Sequence, residues 1–580
     1  MTMTVAEATR ILTAADSPFA VEIRDIRGIP TRCWVKAPNN LIDLLEGSKG
    51  YGDRTFLVFE DERLTFQEHY QRVASFASAL QGMGVGKGDR VVIAMRNYPD
   101  WVITFWATVA LGAIAVPLNA WWTGPELEYG VSDSGAKVLV LDDERTERLL
   151  PHMEELFNQV NFTVIHTRTP TRVVDQIPSG IDHFEFGSLV GDLDAVMPAV
   201  EVDSDDDVTI FYTSGTTGKP KGAVATHRNL GSNLINAFFV ATRAGMLAKE
   251  RAEAKGLTLP ESSPAQKAYL LSVPLFHATG CFAVMIPNMV AGAKLVMMYR
   301  WNPERALELI ERESITSFGG VPAMVWQVLN SPDFDKRDTT SVENIGYGGA
   351  PSAPELVRRI KQHFPTGSPS NGYGMTETCA IATMNVGDDY VRKPDSAGPP
   401  VPISEAKVVD ALGSELPVNM PGELWMKGAN VVRGYWNKPE ATASTFSEGW
   451  LHTGDIAFID EEGFIHIVDR AKDMLIRGGE NIYSVEIESA IFENPAVADV
   501  AVIGIPDLVL GEEVCAIVQR RAGFELSEDE VRSHVAERLA NFKVPKYVYF
   551  RDDELPRNAA GKILKRQLRD EVIDIEVNKA

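Results

Sequence analysis

The chain has 580 residues, 45% of them hydrophobic, which is material for more than one core, since single cores rarely grow beyond about 250 to 300 residues. Its 56 basic and 80 acidic residues give a formal charge of −24, which excludes long-range attraction to nucleic acid or anionic lipid. Any polyanionic ligand must be gripped by local groups, because salt screens charges farther apart than roughly 8 Å.

Residues 1–40 show no strong periodicity, whereas helix and strand patterns alternate from there to 200. Thr65 followed by Glu68 has capping-box spacing, and Tyr70, Val73, Phe76, Ala77 and Leu80 then line one helical face until Gly84. Residues 91–95 read as a strand, Thr123, Pro125 and Glu126 open another helix that Gly135 closes, and 137–141 gives the next strand. The uncharged run 101–122 is long enough to span a bilayer, but Gly112, Pro117 and Asn119 favour a buried helix turning into a buried strand. A second alternation runs from 208 to 375, with strands at 269–273, 294–298, 316–318 and 343–347. The expected fold class is therefore α/β, with two layered sheets covered by helices. The charged stretch 242–267 reads as a surface insertion, a short helix and then a loop. From 398 to 469, short strands broken by Gly and Pro suggest a small β-barrel or bent sheet. A compact α/β module follows, including a helix opened by Ser527 and Glu530.

The most informative stretch is Thr213-Ser214-Gly215-Thr216-Thr217-Gly218-Lys219-Pro220-Lys221-Gly222, set between apolar runs at 208–212 and 223–226. Glycines admit close backbone approach, hydroxyls donate, and two lysines add charge, which together describe a polyphosphate cradle. It is not the common P-loop, which needs glycine five positions after Gly215, where Pro220 stands. Further strings follow the later strands: Phe276-His277, Gly348-Gly349-Ala350-Pro351, and Asn371-Gly372-Tyr373-Gly374-Met375-Thr376-Glu377. Then come Thr453-Gly454-Asp455, Asp469-Arg470-Ala471-Lys472, Gly478-Gly479-Glu480-Asn481 and Asn558-Ala559-Ala560-Gly561-Lys562. In this order the strings closely resemble the adenylate-forming superfamily, which includes acyl-CoA synthetases, aryl-CoA ligases, luciferases and the adenylation domains of peptide synthetases.

The resemblance implies a large domain at 1–471, binding ATP and the acid, and a small mobile domain at 472–580. It places Thr213, Ser214, Gly215, Thr216, Thr217, Gly218 and Lys221 on the phosphates, adds Gly349, Ala350, Pro351, Asn371 and Gly372 to the nucleotide-binding residues, and stacks Tyr373 on adenine. Thr376 meets the α-phosphate, Glu377 and the Thr213 hydroxyl hold Mg²⁺, and Asp455 and Arg470 hold the ribose. Lys472 is the hinge, Gly478, Gly479 and Glu480 line a coenzyme A tunnel, His277 borders the carboxylate and entering thiol, and Lys562 is the catalytic lysine. Phe238, Val321, Ala323 and Gly348 are acyl-pocket walls by position in the family.

The implied reaction is ATP-dependent adenylation of a carboxylic acid, then thioester formation with coenzyme A. Phe276-His277 stands where amino-acid-activating relatives supply an aspartate, so a plain acid is favoured over an amino acid. Medium- to long-chain fatty acids are the first expectation and aryl or polycyclic acids the second. Two rivals are transfer to an amine or carrier protein, and a non-catalytic nucleotide binder, which would be expected to lose Lys562 or Glu377. Cys33, Cys281, Cys379 and Cys515 lack metal-like spacing and the first residues lack the apolar core of a signal peptide, which points to the cytoplasm without a transmembrane segment. The sequence does not set the oligomeric state, and a homodimer is compatible with it.

Overall fold

The computed structural model describes every residue except 1–2, 214–218, 259–264, 351, 479, 559–560 and 580. A seven-stranded sheet runs in the order Lys221–Thr226, Asp207–Thr213, Ile114–Pro117, Arg90–Ala94, Val138–Leu141, Thr163–His166, His183–Glu185, parallel except for its first pair. An eight-stranded sheet runs Thr383–Val386, Ser368–Tyr373, Asn344–Gly348, Ser317–Gly320, Ala268–Leu271, Lys294–Met297, Thr55–Phe59, Glu62–Thr65, antiparallel only at its two end pairs.

The helices Phe66–Gly82 and Pro99–Ala110 join strand residues of both sheets in one buried cluster, with Leu57 and Leu295 from one sheet and Val91 and Ala115 from the other. Trp101, Phe105 and Trp106 are fully buried there, each apolar side chain of such size contributing roughly 1.5–3 kcal/mol through burial. The uncharged run is thus a core helix followed by the core strand Ile114–Pro117. Among the described residues no helix is long and apolar enough to cross a membrane. The capping boxes at Thr65–Glu68, Thr123–Glu126 and Ser527–Glu530 all close, and Gly135, at φ 61°, ends its helix in the left-handed conformation that glycine tolerates.

One expectation needs correction and one stretch without a clear pattern gains its elements. Before residue 40 a helix, Val5–Leu12, capped by Thr4 and Glu7, precedes the hairpin Val21–Ile26 and Ile29–Trp34. These elements are short and half exposed, so their apolar periodicity is weak. The stretch from 242 is not a separate short helix but the outer half of one 28-residue helix, His227–Ala254. The helix runs on through Gly245, and its inner face stays buried through Arg243, Leu247 and Ala252 while Arg251 pairs with Asp389.

Residues 404–470 form an open antiparallel sheet in which Trp450–Ile459 pairs with Gly422–Gly428, Phe446–Ser447 and Ile465–Arg470. The chain then builds a last sheet around the hairpin Val497–Asp507 and Gly511–Arg520, joined by Leu475–Arg477 and, in parallel, Tyr547–Arg551. This C-terminal module has apolar clusters of its own, centred on Val500 and Val514 and on Ile503 and Leu568. It meets the large body where Phe492 packs on Trp326, ring centroids 5.6 Å apart.

Candidate active site

Four neighbouring parallel strands, Ala268–Leu271, Ser317–Gly320, Asn344–Gly348 and Ser368–Tyr373, end on one edge of the eight-stranded sheet. Carboxyl edges of parallel strands are where ligands bind in open α/β sheets. Val321, Gly348, Gly349, Ala350, Asn371, Gly372 and Tyr373 lie along this edge, and His277 follows the first of the strands. Glycine at 348 is dictated by backbone approach, since a Cβ there would lie 2.3 Å from the Gly372 carbonyl oxygen. Gly320 is constrained likewise, by φ 139° and by Met324 Sδ and Ser272 Oγ, each 2.8 Å from a Cβ placed there. Ala323 is half-buried, as is Phe238 on the long helix.

Tyr373 Oη donates to Asp455 Oδ2 at 2.7 Å, and Arg470 Nε lies 3.4 Å from Asp455 Oδ1. Asp455 and Arg470 face one another as cross-strand partners, which fixes that pair by register. Thr376 and Glu377 stand in a single 3₁₀ turn after Tyr373, and Tyr435 Oη donates to Glu377 Oε1 at 2.7 Å. Burial raises the Glu377 carboxyl above its usual range. Cys379 and Ala380, at φ 51° and 82°, hold uncommon left-handed conformations immediately after this turn. Such strain persists where surrounding structure over-determines it; here Gly374 passes so close to the Ala380 carbonyl that a Cβ would be 1.7 Å away.

Lys562 joins this group from the C-terminal module. Its loop is closed at the base, with Lys562 N donating to Asn558 Oδ1 at 3.0 Å and Gly561 N to Asn558 O at 2.9 Å. Burial and then the Arg470 charge lower the Lys562 ammonium to about 8, against the pull of Asp455 and Glu377. Burial, with a contribution from the Lys562 charge, lowers His277 to about 4, so the imidazole is neutral at pH 7. Its Nε2 is buried without a partner among the described residues.

Gly561 makes this approach. Its φ is 75°, and a Cβ would meet Val321 Cγ2 at 2.6 Å. Left-handed backbone costs a non-glycine residue about 1–2 kcal/mol, so Gly561→Ala is expected to slow the step that uses Lys562 by about five- to thirty-fold. Adding Val321→Ala should recover the part due to the clash and leave the part due to backbone strain. A wild-type rate in the single variant, measured by ATP–pyrophosphate exchange, would dismiss the docking.

Thr213 ends the strand Asp207–Thr213, its hydroxyl 3.4 Å from the Lys221 carbonyl, and Lys221 Nζ lies over the Tyr435 ring at 5.1 Å. Ser214, Gly215, Thr216, Thr217, Gly218, Pro351 and Gly479 lie outside the described residues. Lys472 is exposed, 3.9 Å from Asp473. Gly478 and Glu480 are not brought to the site. They sit at the exposed turn of the hairpin Leu475–Arg477 and Glu480–Ile482, where Gly478 N donates to Leu510 O.

Tyr435 escapes a reading of the sequence because a tyrosine in Gly434-Tyr435-Trp436 carries no spacing signal. Only folding sets it beside Glu377, through backbone bonds from Val224 N to Gly434 O and from Trp436 N to Gly222 O. Asp469, beside Arg470, accepts from Ser484 N and Ser484 Oγ.

The AMP-binding enzyme family profile matches residues 45–436, and that of the AMP-binding enzyme C-terminal domain matches 486–562. A feruloyl-CoA synthase from Amycolatopsis sp is 34% identical over 509 residues, covering 87% of this chain and 93% of that protein. The mitochondrial medium-chain acyl-CoA ligase ACSF2 of Mus musculus is 32% identical over 544 residues, covering 90% and 85%. The crystal structure of ATP-bound MatB from Rhodopseudomonas palustris superposes with a TM-score of 0.76 at 30% identity, covering 92% of this chain and 99% of that one. The chain therefore belongs to the AMP-binding enzyme family, in the adenylate-forming superfamily of acyl-CoA synthetases and ligases.

Proposed function

We propose that the protein is an AMP-forming acyl-CoA synthetase whose acid is a medium- to long-chain fatty acid. The observation that carries the reading is Lys562, half-buried where the charges of Arg470, Asp455 and Glu377 act on it and near enough to His277 to lower its basicity. In the first half-reaction a substrate carboxylate oxygen attacks the α-phosphorus of ATP, and the bond to pyrophosphate breaks. Lys562 places an ammonium against the carboxylate and phosphate oxygens, so catalysis is positioning and charge stabilisation. Tyr373 covers the adenine, Asp455 and Arg470 hold the ribose, and Thr376 meets the α-phosphate. In the second half-reaction the thiol of coenzyme A attacks the acyl carbon and AMP leaves.

Mg²⁺ neutralises phosphate charge when bound with ATP, and the residues present fit a shared ion. Glu377 is a buried carboxylate whose Oε1 is taken by Tyr435. Among the described residues no group of three or more His, Cys, Asp and Glu could hold an ion alone. A hard cation held by one carboxylate, the Thr213 hydroxyl and phosphate oxygens satisfies its preference for oxygen.

For the second half the unit 472–580 turns on Lys472, removing Lys562 and bringing Gly478, Gly479 and Glu480 to the pantetheine path. The exposed position of Gly478 and Glu480 beside an inserted Lys562 supports such an exchange of faces. Four buried cysteines without metal-like spacing suit a reducing cytoplasm.

Phe238, Val321 and Ala323, the walls expected of the acyl pocket, are apolar and buried or half-buried, which suits an apolar acid. The related feruloyl-CoA synthase favours a second reading, an aryl acid. Incubation with ATP, Mg²⁺, coenzyme A and a mixed panel of short, long, aryl and polycyclic acids, followed by mass spectrometry, separates them. A dominant fatty acyl-CoA is expected. A dominant aryl-CoA product would move the assignment to the second reading, and an acyl-adenylate without thioester would move it to another acceptor.

The state of Lys562 also predicts a pH dependence. Its charged form is the active one and its pKa is lowered to about 8, so kcat/KM for pyrophosphate exchange is expected to fall as pH rises through that value. Arg470→Gln removes the nearest opposing cation and should move the falling limb upward. A limb unmoved by this change, or one near the ordinary lysine value, would detach the profile from Lys562.

A further inference from the structure

Arg359, on the helix Pro354–His363 of the large body, and Arg521, just past the strand Gly511–Arg520 of the C-terminal module, approach one another across the seam between the two. They reach for the same acceptor. Arg359 Nη2 is 3.3 Å and Arg521 Nη1 3.5 Å from Asn330 Oδ1. Both contacts are long, and the Nε of each arginine is buried with no partner among the described residues. The charge acting on Arg521 is the like charge of Arg359, which together with burial lowers its hold on its proton. Two partly desolvated cations facing each other without a carboxylate are costly.

On the Arg521 side of Asn330 is an open cleft of about 670 Å³, lined by Asn330, Ala498, Arg521, Gly523, Glu525 and Asp552 among others. Asp552 does not neutralise the pair, being almost wholly exposed and engaged by Arg520 at 3.6 Å. Guanidinium forks match the geometry of phosphate oxygens, and a charge-assisted bond to a buried Nε–H is stronger than one to an amide oxygen.

We propose that an oxyanion, either inorganic phosphate or the phosphate group of a small metabolite, bridges Arg359 and Arg521 and latches the C-terminal module in the arrangement that inserts Lys562. The same seam carries the Trp326–Phe492 contact and the approach of Gly561 to Val321. With the anion bound, two repelling charges become a tie, and departure of the module must break it. The binding site stands on these residues alone; its effect on turnover rests on the two half-reactions proposed above.

The test uses the full chain with its nucleotide site saturated by AMP, and inorganic phosphate titrated at constant ionic strength set with chloride. Phosphorus NMR line broadening is expected to saturate, with affinity at least tenfold weaker in both Arg521→Gln and Arg359→Gln, while AMP binding is unchanged. Titrations that match wild type in both variants, or that never saturate, overturn the site. Saturating phosphate should also slow thioester formation from preformed acyl-adenylate several-fold in the wild type and not in Arg521→Gln. Equal slowing in the two proteins, or none in either, overturns the latch. Absence of any thioester in the wild type would refute the proposed function and leave the phosphate titration standing, so the two failures are distinguishable.

Discussion

Lys562→Ala is expected to lower acyl-adenylate formation by about 10²- to 10³-fold, or ~2.7–4 kcal/mol, the usual loss when one pre-positioned charge donor is removed from a developing negative charge. Burial and the neighbouring Arg470 make this ammonium costly to hold, and a group kept charged against such opposition contributes most once carboxylate and phosphate oxygens arrive. Thioester formation from a supplied acyl-adenylate should persist, because in the proposed second half-reaction Lys562 has left before the thiol attacks. Pyrophosphate exchange and coenzyme A-dependent release of AMP measure the halves separately. Equal losses in both would show that Lys562 does not act in one half only.

The second large effect is on stability. Arg145 and Asp142 form a bidentate pair that is wholly out of water, and Asp142 also accepts from Arg96 N at 3.0 Å and Arg145 N at 3.2 Å. Arg145 Nη1 further donates to the Ala120 carbonyl at 3.0 Å, tying the end of the strand Val138–Leu141 to the segment after Ile114–Pro117. Arg145→Met strands a buried carboxylate, and breaking such a pair from one side costs about 3–5 kcal/mol. The urea midpoint of the first unfolding transition should fall clearly in Arg145→Met. It should recover in part when Asp142→Asn is added, since a neutral amide oxygen still accepts from Arg96 N or Arg145 N and no charge is left stranded. A single variant as stable as wild type would mean that water reaches the pair.

The large sheets and the helices flanked by capping boxes were legible because their signals are local: a hydroxyl and a carboxylate three apart, an apolar stripe, a closing glycine. The order of motif strings made the superfamily legible in the same way. What stayed hidden depends on distance in sequence. Tyr435 lies 58 residues from the carboxylate it binds, and no local pattern predicts that meeting. Arg359 and Arg521 read as ordinary surface charges until folding sets them on either side of Asn330. The charges after 242 read as departure from the body, whereas on the helix His227–Ala254 charges on the outer face simply accompany a buried inner one.

That helix has a consequence for how substrate preference can change. At 1.5 Å per residue it is a rod of about 42 Å, pinned where Asn233 and Asn236 bond to Phe282 O, Ile381 N, Ile381 O and Trp34 Nε1, and again where Arg251 meets Asp389. A wall fastened at both ends cannot yield to a longer guest by bending at one residue. With Phe238, half-buried between those fastenings, as a wall of the proposed acyl pocket, acceptance of longer or shorter acids would drift in lineages through single side-chain exchanges while the scaffold stays fixed.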